Sequence, residues 1–258
     1  MNNSFIIDAH THIDSPGIYF TPRFDCRDLI DLMDLLGIRV SICSDHFSIF
    51  RGSGEGLERL LKICEESAGR IYGLAVFDPR KEGDLPAIRQ RIGRPGLVGI
   101  KIHPSFHRTE PESPAYEPIW RLAAENDLPI LTHSWSVSEH NPSQRYSTPE
   151  RFEHYIKRYP SVRLVLGHAG GRGTGRGEMV RMVNTYPNVY TDIAGDIFCL
   201  DLIESLVRQI PAERILFGSD FPWLDPRANL TRIYLSEISV HGKQLILQEN
   251  AQKVYRIP

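Results

Sequence analysis

Cysteine is scarce in this chain, and charge of either sign is nearly balanced. Four cysteines, Cys26, Cys43, Cys64 and Cys199, stand far apart among 258 residues, with no Cys-x-x-Cys pair and far below the density of a disulfide-stapled secreted domain. Reduced, mostly buried thiols are expected. A formal charge of -2 with dispersed Lys and Arg leaves no basic face for nucleic acid. No apolar run reaches the roughly 20 residues of a membrane-spanning helix, and no basic region precedes the short apolar run near the N-terminus. The expectation is a cytoplasmic protein that handles a small molecule, without membrane or nucleic-acid partners. Gly-x-Ser-x-Gly is missing, which sets serine catalysis aside. The one glycine-rich stretch, Gly170 to Gly177, fits neither G-x-G-x-x-G nor G-x-x-x-x-G-K-[ST].

What is present is a rhythm. Eight short apolar runs begin near Phe5, Ile38, Ile71, Leu97, Pro129, Val162, Asn188 and Arg214. Helical stripes lie between them. Leu29, Leu32, Met33 and Leu36 fit the i, i+3, i+4, i+7 spacing, as do Leu57, Leu60, Leu61 and Cys64. The stripe recurs around Ile119, Tyr155, Met182 and Leu206, and more weakly at Ala87 to Ile92 and Leu230 to Ile238. Gly37 sits where a helix should stop, and Ser147-Thr148-Pro149-Glu150 resembles a helix start. Strands alternating with helices imply a parallel sheet, because parallel neighbours need a crossover. Eight units in this length fit a closed (β/α)8 TIM barrel over residues 1–258 as one domain. The last helical stretch, Lys243 to Val254, is expected on the barrel's outside.

Loops after the strands form the active face of such a barrel, so chemistry is sought at the carboxyl ends of the runs. Those ends carry His10 and His12, then Lys101 and His103, then His133, His168 and Asp220. Strand side chains alternate, so residues two apart point the same way and the rings of His10 and His12 should converge. Lys101 and His103 share parity and should point inward, where an unpaired ammonium is costly. His103 is as readily a residue bonded to backbone as a functional one. Arg23, Arg51, Arg145 and Arg172 are candidate carboxylate binders, and the glycine loop with Arg172 and Arg176 either cradles an anion or only makes a tight turn.

The motifs Asp8-Ala9-His10-Thr11-His12, Gly99-Ile100-Lys101-Ile102-His103-Pro104, Leu131-Thr132-His133, Leu166-Gly167-His168-Ala169-Gly170-Gly171 and Phe217-Gly218-Ser219-Asp220-Phe221-Pro222, in this order, resemble the amidohydrolase superfamily. More narrowly, the chain is similar to the amidohydrolase-related branch that includes aminocarboxymuconate-semialdehyde decarboxylase, resorcylate decarboxylases and many hydrolases. The likeness spans essentially the whole chain. It implies one divalent metal, zinc first with manganese or another divalent ion as alternatives, held by His10, His12, a histidine of the fifth or sixth strand, and Asp220. The decarboxylase branch places His133 on the metal and leaves His168 to polarise or protonate the substrate, although the residues equally permit the reverse.

Neutral imidazoles with a carboxylate suit such an ion, and a bound water's pKa falls to about 7. Asp220 could bind the metal, take the water's proton, or do both in turn. Lys101 has three readings: an anchor for a substrate carboxylate, a partner for Asp8 or another acid, or, last, a carboxylated bridge between two metals. Asp8 is expected as a buried supporting group.

The leading expectation is a metal-dependent hydrolase of a small, anionic amide, ester or lactone, with Asp220 and His168 catalytic and Lys101, His103 and Arg172 at the substrate. The alternative is a non-oxidative decarboxylase using the same shell. A third possibility is a barrel that binds a ligand without turnover. A homodimer is the general prior for assembly.

Overall fold

The eight strands pair in parallel, each with its neighbour in sequence. The computed structural model describes residues 5–14, 24–195 and 199–258. The strands are β1 (Ile6–Ile13), β2 (Ile38–Asp45), β3 (Ile71–Val76), β4 (Leu97–Ile102), β5 (Ile130–Thr132), β6 (Leu164–Leu166), β7 (Val189–Asp192) and β8 (Ile215–Leu216). Every one starts within two residues of an expected run. Beyond β8 the chain returns to β1: Ala9 N donates to Phe217 O at 2.9 Å, and Asp220 N donates to His10 O at 2.8 Å. These bonds bring the sheet nearly to closure, a (β/α)8 barrel.

The helices lie between strands as the periodicity predicts. The first six are α1 (Cys26–Leu36), α2 (His46–Arg51), α3 (Gly54–Glu66), α4 (Asp84–Arg89), α5 (Pro104–His107) and α6 (Glu117–Glu125). Then follow α7 (Glu153–Arg158), α8 (Thr174–Thr185), α9 (Leu202–Gln209), α10 (Pro226–Leu235), α11 (Val240–Gln244) and α12 (Asn250–Tyr255). Asp25 and Asp28 form a capping box at the start of α1, and Gly37 ends it in the left-handed region at φ 69°. Thr148 precedes a 3-10 turn at Pro149–Phe152, where its hydroxyl meets Glu150 rather than a backbone N–H.

Two apolar layers result. Outward strand residues such as Ile38, Ile100, Ile130 and Leu164 pack against the helices. Inward residues, among them Ile7, Val40, Ile42, Leu74, Leu131, Val165 and Leu216, fill the lower barrel. Ala251, Val254, Tyr255 and Ile257 belong to this inner cluster. The end of the chain therefore plugs the barrel's floor, whereas Ile246 and Leu247 pack with the outer layer, so the expectation that this stretch coats the outside holds for its first half and is corrected for its second. A one-faced helix satisfies either role, because the pattern states that a face is buried and not against what. The segment is also broken: α11 and α12 flank a π-helical turn at Leu245–Glu249.

The register is not uniform. Asp8 pairs with Ser41 but Thr11 with Cys43, so β1 carries one extra residue over that step. A similar shift lies where Gly73 pairs with Leu97 and Leu74 with Gly99. Such bulges re-aim side chains. Ile7 and Ala9 pack in the inner cluster, yet His10 and His12 beyond the shift also face inward.

Candidate metal centre and substrate mouth

His10 and His12 leave β1 with ring centroids 5.4 Å apart, and each has its inner nitrogen occupied. The His10 Nδ1 lies 2.8 Å from Asp192 Oδ2, and the His12 Nδ1 lies 2.8 Å from Ser44 Oγ. Asp192 can only accept, so the His10 proton sits on Nδ1 and Nε2 keeps its lone pair. His10 Nε2 and His12 Nε2 then meet Asp220 Oδ1 at 3.6 and 3.2 Å. Ligand atoms of His10, His12 and Asp220 all fall within 4.8 Å of one another, as do those of His10, His168 and Asp192. Lys101 Nζ sits 2.8 Å from His10 Nε2, so the ammonium donates to the same lone pair.

Electrostatics match the geometry. Burial pushes the His10 imidazole down to about 4, with Lys101 adding to the push and Asp192 opposing it. Burial would raise Asp220, but the imidazoles of His168, His12 and His10 outweigh it and hold the carboxyl well below its usual range. Lys101 is brought down to about 8 by burial, against the pull of Asp220 and Asp192. Asp8 is raised to about 7 by burial, and its Oδ1 accepts the backbone N–H groups of Ser219 and His10 at 2.9 and 3.3 Å. It braces two backbones at the shifted step, and Lys101 pairs elsewhere.

His133 and His168 stand beside this cluster with centroids 4.8 Å apart. His133 Nε2 bonds Gln144 Oε1 at 2.9 Å, and the ring joins neither group of converging ligand atoms among the described residues. His168 follows β6 with φ at 62°, in the left-handed region a non-glycine residue rarely occupies. Its backbone N–H donates to Asp192 Oδ1 at 2.8 Å, while its buried Nδ1 has no hydrogen-bond partner and lies against Gly195. A Cβ at Gly195 would come within 2.6 Å of that nitrogen. One carboxylate, Asp192, thus holds both the His10 ring and the His168 backbone. Gly218 makes room for the assembly, since a Cβ there would stand 2.8 Å from His10 Cβ.

Flat rings surround the cluster. His46 contacts His12 at 5.4 Å and Trp223 at 4.6 Å between centroids. Phe50 and Phe106 continue the wall at 4.7 Å, and His103 lies tilted against Phe106 and stacked on His133, each at 4.2 Å. Trp135 closes it against His168 at 5.6 Å.

Other expected residues fall differently. Arg172 is exposed on the glycine loop. Glycine there serves packing: a Cβ at Gly170 would lie 2.4 Å from Gly175 O, and one at Gly171 would lie 2.7 Å from the Trp135 ring. Arg51 and Arg145 are exposed and lie over the rings of Phe47 and Tyr146. Arg23 and most of its loop lie outside the described residues. The four cysteines are free thiols, with Cys43 and Cys64 buried. Among the described residues no helix is long and apolar enough to cross a membrane.

Missed in the sequence were Asp192, Ser44 and His46. Each carried a visible signal, a polar residue at or just past the carboxyl end of an apolar run.

Parallel strands that deliver polar side chains to one mouth define an enzyme-type (β/α)8 barrel with a metal-capable centre. The chain belongs to the amidohydrolase family of the amidohydrolase 2 type, whose model matches residues 7–257. No curated protein matches it in sequence. Among solved structures it is similar to 2,6-dihydroxybenzoate decarboxylase complexed with 2,6-dihydroxybenzoate, at 16% identity and TM-score 0.80, covering 98% of this chain and 100% of the other. It is also similar to a dihydroxybenzoic acid decarboxylase from Polaromonas sp. with bound manganese and the inhibitor 2-nitroresorcinol (17% identity, TM-score 0.78, 98% and 97% covered). A third is 5-carboxyvanillate decarboxylase from Sphingomonas paucimobilis (12% identity, TM-score 0.75, 98% and 99% covered). At these identities the likeness establishes the fold.

Proposed function

We propose that the protein is a divalent-metal-dependent decarboxylase of a small aromatic acid. The observation that carries this reading is the run of flat rings that meets the cluster at His12 through His46 and at His10 through His168, which suits a planar substrate. The decarboxylases among its structural neighbours support it, and so move the balance away from the hydrolase expected first. His10, His12 and Asp220 would hold the ion. Their fit rests on the His10 Nε2 lone pair set by Asp192, on the His12 ring held at Nδ1 by Ser44 with its Nε2 turned to Asp220, and on a carboxyl held well below its usual range beside them. His133 is assigned the fourth position on the pattern of the decarboxylase branch alone, since its ring stands outside both groups of converging ligand atoms and His168 stands in one of them. His168 is left for the substrate, since its backbone is pinned and its Nδ1 enclosed.

Zinc and manganese both accept such a donor set, and when bound the ion supplies Lewis-acid polarisation of substrate oxygens. Lys101 Nζ pairs with the substrate carboxylate and orients it. Rings of His103, Phe106 and Trp135 exclude water and hold the aromatic plane. His168 gives its Nε2 proton to the ring carbon that bears the carboxylate. The carbon–carbon bond then breaks, its electron pair stays with the ring, and carbon dioxide leaves; His168 regains a proton from solvent.

Incubating metal-reconstituted protein with 2,6-dihydroxybenzoate and 5-carboxyvanillate in deuterated water tests the reading. The expected result is carbon dioxide release with one deuterium at the vacated carbon. Hydrolysis of a parallel amide, ester and lactone panel, with no carbon dioxide from any acid, would overturn it. That hydrolytic reading keeps one specific support, the ionised Asp220, which is suited to accept a proton from water.

A further inference from the structure

β8 has only two residues, yet Asp220 just beyond it sits at φ 67°, a conformation that persists only where its surroundings impose it. Bonds to the backbone of this run do the imposing. Asp220 N donates to His10 O at 2.8 Å, Ser219 N to Asp8 Oδ1 at 2.9 Å, and Gly218 O accepts from Asn229 Nδ2 at 3.0 Å. Phe217 O accepts from Ala9 N at 2.9 Å. The earlier part of the run is gripped from elsewhere, by the segment that follows α11. There the helix changes register: the Asn250 N–H donates to Leu245 O, where an α-helix would use Ile246 O. Ile246 O is thereby released, and it accepts from Phe217 N at 2.8 Å. The Asn250 side chain, 2% exposed, completes the grip, with its Nδ2 2.7 Å from both Ala212 O and Ile215 O. Both partners only accept, so the amide nitrogen is the atom that faces them and both of its N–H bonds are used.

We propose that the π-helical turn at Leu245–Glu249 and the Asn250 amide form a positioning device for Asp220, fixing where its carboxylate stands against His10 and His12. Single π-turns recur at functional sites, and here the turn has a defined use: it frees one carbonyl for β8. Phe217 is then held on both sides, its N–H by the terminal segment and its oxygen by β1. Asn250 acts through Ala212, Ile215 and Phe217, so it is a positioning residue and takes no part in the chemistry. The proposal rests on the metal-site reading above, in which Asp220 is a ligand.

The first readout is affinity of the folded protein for manganese and zinc, measured by competition with a chelator. Asn250→Leu keeps the volume and removes both donors, so affinity should fall about tenfold. Asn250→Ser keeps one donor and should fall less; it carries the comparison if the leucine variant does not fold. Val254→Ala is the control, because it loosens floor packing in the same segment without touching a bond to β8, and it should bind within about twofold of wild type. Equal losses in the Asn250 and Val254 variants would mean general loosening and overturn the device. Wild-type affinity in both Asn250 variants overturns it too, while the metal reading stands. If wild type binds neither metal, both fall. A second readout needs neither metal nor variant: hydrogen exchange at the Phe217 N–H. Protection like that of amides inside the barrel ladder is expected, and free exchange would show that Ile246 O does not hold this residue.

Discussion

Floor and mouth of this barrel are built from the same eight strands, yet they obey different rules. The floor is apolar, with Leu74, Leu131, Val165 and Leu216 closed from below by Val254 and Tyr255. The mouth buries ionisable groups instead: His10, Lys101, Asp192 and His168 are each at most 4% exposed. It also spends backbone strain, since His168 and Asp220 sit at φ 62° and 67°. Costs of this kind, about 1–3 kcal/mol for each such residue, persist only where surrounding structure over-determines them. The difference teaches that stability and chemistry are separated along the barrel axis, and that separation can be attacked from either side.

The largest effect is expected at the mouth. Asp220→Asn should lower the rate of the proposed decarboxylation by about 10²- to 10⁴-fold, while the melting temperature moves little. A variant that keeps its rate, or that loses its fold, would break the separation. Leu74→Ala should do the opposite. It should cost about 2–5 kcal/mol in denaturant unfolding, with the kcat/KM of the folded protein unchanged.

A smaller change sharpens the boundary itself. Asp192→Asn loses the carboxylate that fixes the His10 tautomer, and metal affinity measured against a chelator should fall about 10- to 100-fold. Unchanged affinity would remove Asp192 from the supporting role. The smallest effect concerns His107, which belongs to neither region. It lies near Asp78, Arg80 and the Tyr116 hydroxyl, and burial brings its imidazole from 6.5 to about 4. The unfolded chain therefore takes up a proton that the native ring refuses. Stability is fully present above about 6.5 and is lost as pH falls towards 4, at no more than about 1.4 kcal/mol per pH unit for this group. His107→Gln should flatten the acid limb of a melting-temperature profile by that share. An unaltered limb would show that other buried histidines carry it.

Fold was legible because both periods were strong. Six helical stripes and eight apolar runs, read separately, place the strands that begin at Ile6 through Ile215. His10, His12 and Asp220 stood out because metal-type residues at strand ends are unusual company. Asp192 ends the run Val189-Tyr190-Thr191-Asp192 with the same signal, but a single acid there has no partner in sequence. Its meaning comes from bonds to residues 182 and 24 positions away. His46 was hidden for a similar reason, since the rings it meets, those of His12 and Trp223, lie far from it in sequence. The terminal segment was legible only in part, because amphipathicity reports a buried face without naming the surface that covers it: Ile246 and Leu247 meet the outer layer, Ala251 and Val254 the floor.

The extra residue between Asp8 and Thr11 changes the register of β1 against β2, above the pairs Ile7–Val40 and Asp8–Ser41 and a further shift between Ile6 and Ile7. Ile7 and Val40 belong to the lower register, His12 and Ser44 to the upper. Changes below the step need not be transmitted to the imidazoles above it. The step is therefore a seam for recombination: a lower barrel from one relative could be joined there to the upper barrel of another, letting heat tolerance and substrate choice be inherited from different parents.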